Sequence, residues 1–238
     1  MNGFFVTATD TEVGKTLVTG GLAGALRKKG LDIGVYKPVQ SGHLTHQPEG
    51  DAARLKRLSG VDDPLEEICP YSFSEPVAPR LAIQRSQKQV RSHDVIAGYE
   101  RLKRKHRYLL VEGAGGIAVP YVEDALVVDI AKTLALPLLV VARPDLGTVN
   151  HTVLTIEYAR SRGLQVAGVI LSGCGRRQPI SLSESHNPGM IEELANVRVL
   201  GKVPWLGDRP DESRIVEAIE EHVDLKSIQE VLIGGEKE

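Results

Sequence analysis

The segment Thr9-Asp10-Thr11-Glu12-Val13-Gly14-Lys15-Thr16-Leu17 carries the residues best placed to do chemistry. The apolar run Phe4-Phe5-Val6 leads into it, and a helical pattern opens at its end. A loop that closes on Gly-Lys-Thr between a strand and a helix is a phosphate cradle. Backbone N–H groups and the positive end of the helix dipole face an anion, the lysine reaches the outer phosphates, and the threonine hydroxyl can hold Mg²⁺. Thr9 stands where the strict GxxxxGK[ST] pattern has its first glycine, so the match is imperfect.

Three further residues invite the same question. Lys37 ends Ile33-Gly34-Val35-Tyr36 and is followed by Pro38. It is either a rim salt bridge or a second cation that joins Lys15 in stabilising charge on a transferring phosphoryl group. Glu112 ends Tyr108-Leu109-Leu110-Val111 and precedes Gly113-Ala114-Gly115-Gly116. It is either an exposed strand-end carboxylate or the acidic element that holds Mg²⁺ in nucleotide-hydrolysing folds. Asp51 follows Gly50 at the start of a helical pattern, and taken alone it reads best as a helix cap. Together, Thr16, Asp51 and Glu112 would offer a hard cation three oxygen ligands.

These residues must be positioned by a scaffold, and the pattern of apolar runs supplies one. Strands are expected at Phe4–Ala8, Ile33–Lys37, Tyr108–Glu112, Pro137–Ala142, Val166–Leu171 and Val199–Val203. Several are continuously apolar, as strands covered on both faces are. Between them, Val18, Leu22, Ala25 and Leu26 share one helical face, and Val149, Val153, Ile156 and Ala159 share another. Gly30 and Gly163 suit left-handed caps after those helices. The alternation predicts an α/β fold: a doubly wound, mainly parallel sheet with helices on both faces, of the P-loop NTPase type, as one domain over 1–238. Ligands then sit beyond the carboxyl ends of the strands. That rim would also carry Ser41, Asp145-Leu146-Gly147-Thr148, Ser172-Gly173 and Pro204-Trp205-Leu206. Cys69–Arg91 reads as the least regular part. In the tail 224–238, Leu225, Ile228, Val231 and Leu232 share one side while Glu230, Glu236 and Glu238 make it acidic, which suggests packing on the domain.

Composition narrows the options. A net charge of -2 with 25% charged residues argues against a general nucleic-acid binder. The basic run Arg101–Arg107 lacks an aromatic platform and suits the end of a helix. No apolar stretch is long enough to span a bilayer, so no membrane partner is expected. The start Met1-Asn2-Gly3-Phe4 does not resemble a secretory signal, and Cys69 and Cys174 lie far apart outside any CxxC pattern. A reducing, cytoplasmic location is expected. Histidines are scattered without metal spacing; His43 and His46 near Ser41, and His151 beside Asn150, read as solvated loop residues or substrate contacts.

The chain resembles the dethiobiotin synthetase family. The matching pieces are Thr9–Thr16, Tyr36-Lys37-Pro38-Val39-Gln40-Ser41-Gly42, Asp51, Glu75-Pro76 with Pro79, Val111–Gly116, Leu146–His151 and Pro204-Trp205-Leu206, in the family's order over nearly the whole sequence. The resemblance implies an ATP- and Mg²⁺-dependent enzyme that closes a cyclic urea from 7,8-diaminononanoate and CO₂. It implies that Lys37, Lys15 and Thr11 are catalytic and that Thr16, Asp51 and Glu112 hold the metal. The nucleotide would contact Glu12, Val13, Gly14, Lys15, Thr16, Leu17, Asp51, Glu112, Gly113, Ala114, Gly115, Ser172, Gly173, Pro204, Trp205 and Leu206. The substrate would contact Thr11, Lys37, Ser41, Gly147, Thr148 and Asn150, with its carboxylate at a helix start contributed across a homodimer interface. Two positions depart from the family pattern. Ala8 replaces a loop glycine, and Ser172 stands where an asparagine reads the adenine edge, which opens the choice of nucleotide. Partition or septum-placement ATPases share the loop but add a lysine near its start, where this chain has Thr9-Asp10-Thr11. Cobyrinate-type amidotransferases would need a further glutaminase domain, for which the sequence leaves no room.

Overall fold

The computed structural model describes residues 3–176 and 178–234. The first half runs β1 (Gly3–Ala8), α1 (Lys15–Lys28), β2 (Ile33–Tyr36), β3 (Val39–Ser41), α2 (Asp51–Ser59), α3 (Leu65–Ile68), β4 (Tyr71–Phe73), α4 (Pro79–Arg85) and α5 (Ser92–Lys103). The second runs β5 (Tyr108–Gly116), β6 (Pro120–Val122), β7 (Ala125–Leu126), α6 (Val127–Leu134), β8 (Leu138–Ala142), α7 (Thr148–Ser161), β9 (Val166–Cys174), α8 (Leu182–Ala195), β10 (Val199–Pro204), α9 (Glu212–His222) and α10 (Leu225–Gly234).

All six strands read from apolar runs join one parallel sheet in the order β10-β9-β8-β1-β5-β2. β1 lies at its middle, with Phe5 opposite Val111 on one side and Leu138 on the other. Its side chains alternate between two cores, as a strand's period of two requires. Phe4, Val6 and Ala8 face α1, α2, α9 and α10, while Phe5 joins the core under α4, α5 and α6. A third cluster, with Val140, Leu171, Ile156 and Ile191, lies under α7 and α8. Helices therefore cover both faces, and the sheet is doubly wound.

Gly30 and Gly163 do adopt positive φ after α1 and α7. Other readings need adjustment. The strand expected to end at Glu112 runs on through the glycines to Gly116, which lies opposite Ala8. Lys37 lies just past β2, because Pro38 ends the strand. The stretch 69–91 is more ordered than its composition suggests: β4 pairs in parallel with β3, and α4 follows. Leu225, Ile228 and Leu232 of α10 are buried and Val231 packs beside them; Glu236 and Glu238 lie outside the described residues.

Candidate active site

β1 ends at Ala8, and Thr9 N extends its pairing with β8 by one bond, donating to Val141 O at 3.0 Å, before the chain enters the loop. Glu12 takes φ 57 and Gly14 φ 88, the left-handed conformations that curl successive N–H groups toward one point. Gly14 also has no room for a side chain, since a Cβ there would lie 2.4 Å from Ser172 Oγ. The α1 ladder begins with Val18 N to Gly14 O at 2.9 Å, so the N–H groups before it have no partner within the helix. Val13 and Lys15 are buried, whereas Thr11 and Glu12 face solvent and Leu17 is half-buried. Burial lowers the Lys15 ammonium from its ordinary value, and Lys37 lowers it further.

The centre of the site is an ion cluster built from the ends of β2 and β5 and the start of α2. Lys37 Nζ lies 2.8 Å from Asp51 Oδ2, 2.7 Å from Glu112 Oε1 and 2.8 Å from Gly113 O. These contacts use all of its N–H groups. Lys37 is 2% exposed and Glu112 0%, so neither the rim salt bridge nor the exposed carboxylate describes them. Burial works against the Lys37 ammonium, but Asp51 and Glu112 outweigh it and hold it well above its usual range. Burial likewise opposes the Asp51 carboxylate, yet the Lys37 charge wins and brings it down to about 2. Thr16 Oγ1 donates toward Asp51 Oδ1 at 3.1 Å and Glu112 Oε1 at 2.9 Å. Glu112 Oε2 is buried without any hydrogen-bond partner. An orphaned carboxylate oxygen beside two other convergent oxygens fits a hard divalent cation. The set is two carboxylates and a hydroxyl; among the described residues no cluster of three His, Cys, Asp or Glu could hold a metal.

Asp51 does not cap α2. Gly50 is the N-cap, and the free N–H of Ala52 donates instead to Gln40 Oε1 at 2.9 Å. A remote side chain thus does the capping, and the Asp51 carboxylate is left for Lys37 and Thr16.

The other expected residues gather on the same rim. Ser41 ends β3, and Gly42 N donates to Glu75 O, which brings Glu75-Pro76 to the loop. Ala114 and Gly115 are half-buried in β5. Gly147, at φ 96, caps α7, whose first residue Thr148 is fully buried while Asn150 is exposed. Ser172 does not open onto free space: it is buried against Gly14, while Gly173 is half-buried. Trp205 N donates to Cys174 O at 2.7 Å, which holds the segment Pro204-Trp205-Leu206 beside the end of β9, and Arg176 lies over the Trp205 ring at 4.2 Å. Burial raises the Cys174 thiol to about 12, and does the same to Cys69, away from the range of an activated thiolate. His43, His46 and Asn150 are exposed, and His46 pairs with Glu66.

Sequence reasoning missed three supporting residues. Gln40 caps α2 from β3. Tyr121, fully buried, accepts from Val39 N at 3.2 Å and so holds the segment that carries Lys37. Arg143 reaches Asp10 at 3.6 Å and His151 at 3.1 Å, tying the phosphate loop to α7. Each acts on a partner distant in sequence, which local pattern does not reveal.

Comparison with known proteins gives two kinds of likeness. A family model described as an AAA domain matches residues 2–213. The chain is 55% identical over 232 residues to the ATP-dependent dethiobiotin synthetase BioD of Bacillus cereus (strain B4264), covering 98% of this chain and 95% of that one. Against the protein of the same name from Bacillus thuringiensis (strain Al Hakam) the identity is 56% with the same coverage. Among solved structures, the MinC:MinD cell division protein complex of Aquifex aeolicus matches with a TM-score of 0.58 at 15% identity, covering 98% of this chain and 96% of that one. A ParA family ATPase from Chlorobium tepidum TLS gives 0.53 at 13% identity, covering 95% and 92%. At such identities the structural likeness is one of fold.

Proposed function

The chain belongs to the ATP-dependent dethiobiotin synthetase family, and from that premise we propose how its own residues perform the reaction of an ATP-dependent ligase of biotin biosynthesis. One amine of 7,8-diaminononanoate takes up CO₂ and loses a proton to give a carbamate. A carbamate oxygen attacks the γ-phosphorus of ATP, ADP leaves, and a carbamic–phosphoric anhydride forms. The second amine attacks the carbamoyl carbon, phosphate is expelled, and loss of a proton completes the cyclic urea. Phosphorylation converts a poor leaving group into a good one.

The observation that carries this reading is the convergence of Lys15, Thr16, Lys37, Asp51 and Glu112 where the carboxyl ends of β1, β2 and β5 meet the starts of α1 and α2. The loop N–H groups from Glu12 to Leu17 and the Lys15 ammonium hold the phosphates. Lys37 has every N–H committed, so it contacts the carbamate and γ-phosphate by giving up one of its present acceptors. Thr11 and Ser41 line the side from which the amines approach, and the backbone of Gly113, Ala114 and Gly115 closes the floor. Ser172, Gly173 and Pro204-Trp205-Leu206 border the base. Thr16, Asp51 and Glu112 would hold Mg²⁺, which when bound offsets phosphate charge.

A second copy completes the site in this reading. Leu146, Leu154, Leu182, Met190 and Leu194 are exposed on α7, α8 and the turns before them. Exposed apolar side chains near the α7 start, where Gly147, Thr148 and Asn150 would take the substrate carboxylate, support a homodimer. Among the described residues no helix is long and apolar enough to cross a membrane, and a reducing cytoplasm suits the two free thiols. The whole chain acts as one functional unit. The test is incubation with diamine, bicarbonate, Mg²⁺ and ATP, followed by mass analysis for the cyclic urea. Nucleotide hydrolysis that ignores the diamine, with no product, would instead support a switch ATPase.

A further inference from the structure

The N-cap of α2 is Gly50, which offers no side chain to the free N–H groups of the first turn. Gln40 reaches across from β3 and supplies the missing acceptor. Its Oε1 accepts from Ala52 N at 2.9 Å, and its Nε2 donates to His43 O at 2.9 Å. Gln40 is 1% exposed, so both ends of the amide are fixed and water does not compete. Gly50 is fitted to it: a Cβ there would stand 2.8 Å from Gln40 Nε2 and 3.1 Å from His43 Cβ. The backbone of Gly50, at φ -72 and ψ 156, suits any residue, so the glycine serves space and not conformation.

Asp51 lies between Gly50 and Ala52, inside the turn that this amide grips. Its carboxylate must face Lys37 and Thr16 at 2.8 Å and 3.1 Å to be useful. No side chain of α2 itself caps that end. Gln40 is also only three residues from Lys37, so one short segment carries the central cation and the latch on its partner.

We propose that Gln40 is a positioning residue: its amide locks the first turn of α2 to β3, aims Asp51 at Lys37 and Thr16, and so sets the affinity of this site for a divalent cation. The proposal rests on the metal reading given above. Groups that support a metal ligand from behind commonly matter for affinity although they never touch the ion.

The experiment reads Mn²⁺ binding by electron paramagnetic resonance on the full chain with a non-hydrolysable ATP analogue and no diamine. Gln40→Met keeps the volume and removes the amide, and Mn²⁺ binding should weaken about tenfold. Gly50→Ala leaves Gln40 in place but pushes its amide aside, and it should shift binding in the same direction; it decides the matter if Gln40→Met does not fold. Gln40→Glu, which keeps an acceptor for Ala52 N, should restore much of the loss. A role through Asp51 also requires that Gln40→Met cost nothing further in an Asp51→Asn background. Wild-type affinity in Gln40→Met and Gly50→Ala, or an undiminished loss in the Asp51→Asn background, overturns the proposal while the metal reading stands. Wild-type affinity in Asp51→Asn alone overturns the metal reading, and the proposal with it.

Discussion

At the scale of the residue, Lys37 matters most. Its type and place at a strand end were plain in the sequence, but not its burial between two carboxylates, because Asp51 and Glu112 are far from it along the chain. That burial changes what a substitution does. Lys37→Ala should lower turnover by on the order of 3 kcal/mol, about a hundredfold. It also strips the cation from two acids, so thermal stability should fall, and Mg²⁺ should recover part of the loss. Turnover and melting with and without Mg²⁺ check both; near-normal turnover would remove Lys37 from the chemistry. The base pocket was legible only in part. Ser172 was visible as a departure, but its packing against Gly14 was not. A buried serine offers no bidentate edge to adenine, so GTP or CTP should support the reaction within about tenfold of ATP. Comparing kcat/KM for the three nucleotides decides this, and a preference of hundreds for ATP would mean that backbone near Pro204 reads the base.

At the scale of the element, long apolar runs gave away the central sheet, since strands buried on both faces need them. β3, β4, β6 and β7 span two or three residues each, too few for a period to show. The pairing of β3 with β4 that brings Glu75 to Gly42 was therefore invisible, as was the remote cap that frees Asp51. α1 raises a related point. Gly20, Gly21 and Gly24 lie inside it, where each costs about 1 kcal/mol against alanine by propensity alone. Packing explains them: a Cβ on Gly24 would stand 2.4 Å from Leu58 O in α2. Gly24→Ala should thus destabilise the fold by about 1–3 kcal/mol despite the better helix former. A urea midpoint equal to or above the wild type would show that α2 yields easily.

At the scale of the whole molecule, the fold and the activity come from different observations. The MinD and ParA structures share the architecture at 15% and 13% identity, which leaves function open. The ion cluster and the family supply it. If a second copy packs on the exposed leucines of α7 and α8, as proposed, Leu154→Glu with Leu194→Glu should convert a dimer to a monomer in sedimentation and raise KM for the diamine more than for ATP. A monomeric wild type with full activity would remove the second copy from the site. The central chemical claim is that a carbamate oxygen is phosphorylated here and then leaves with phosphate. It is tested most directly with CO₂ labelled by oxygen-18, diamine, ATP and Mg²⁺, reading product and phosphate by mass. The expected result is cyclic urea formed together with phosphate that carries one labelled oxygen from CO₂. Cyclic urea accompanied by unlabelled phosphate, or phosphate released with no cyclic urea, would contradict it.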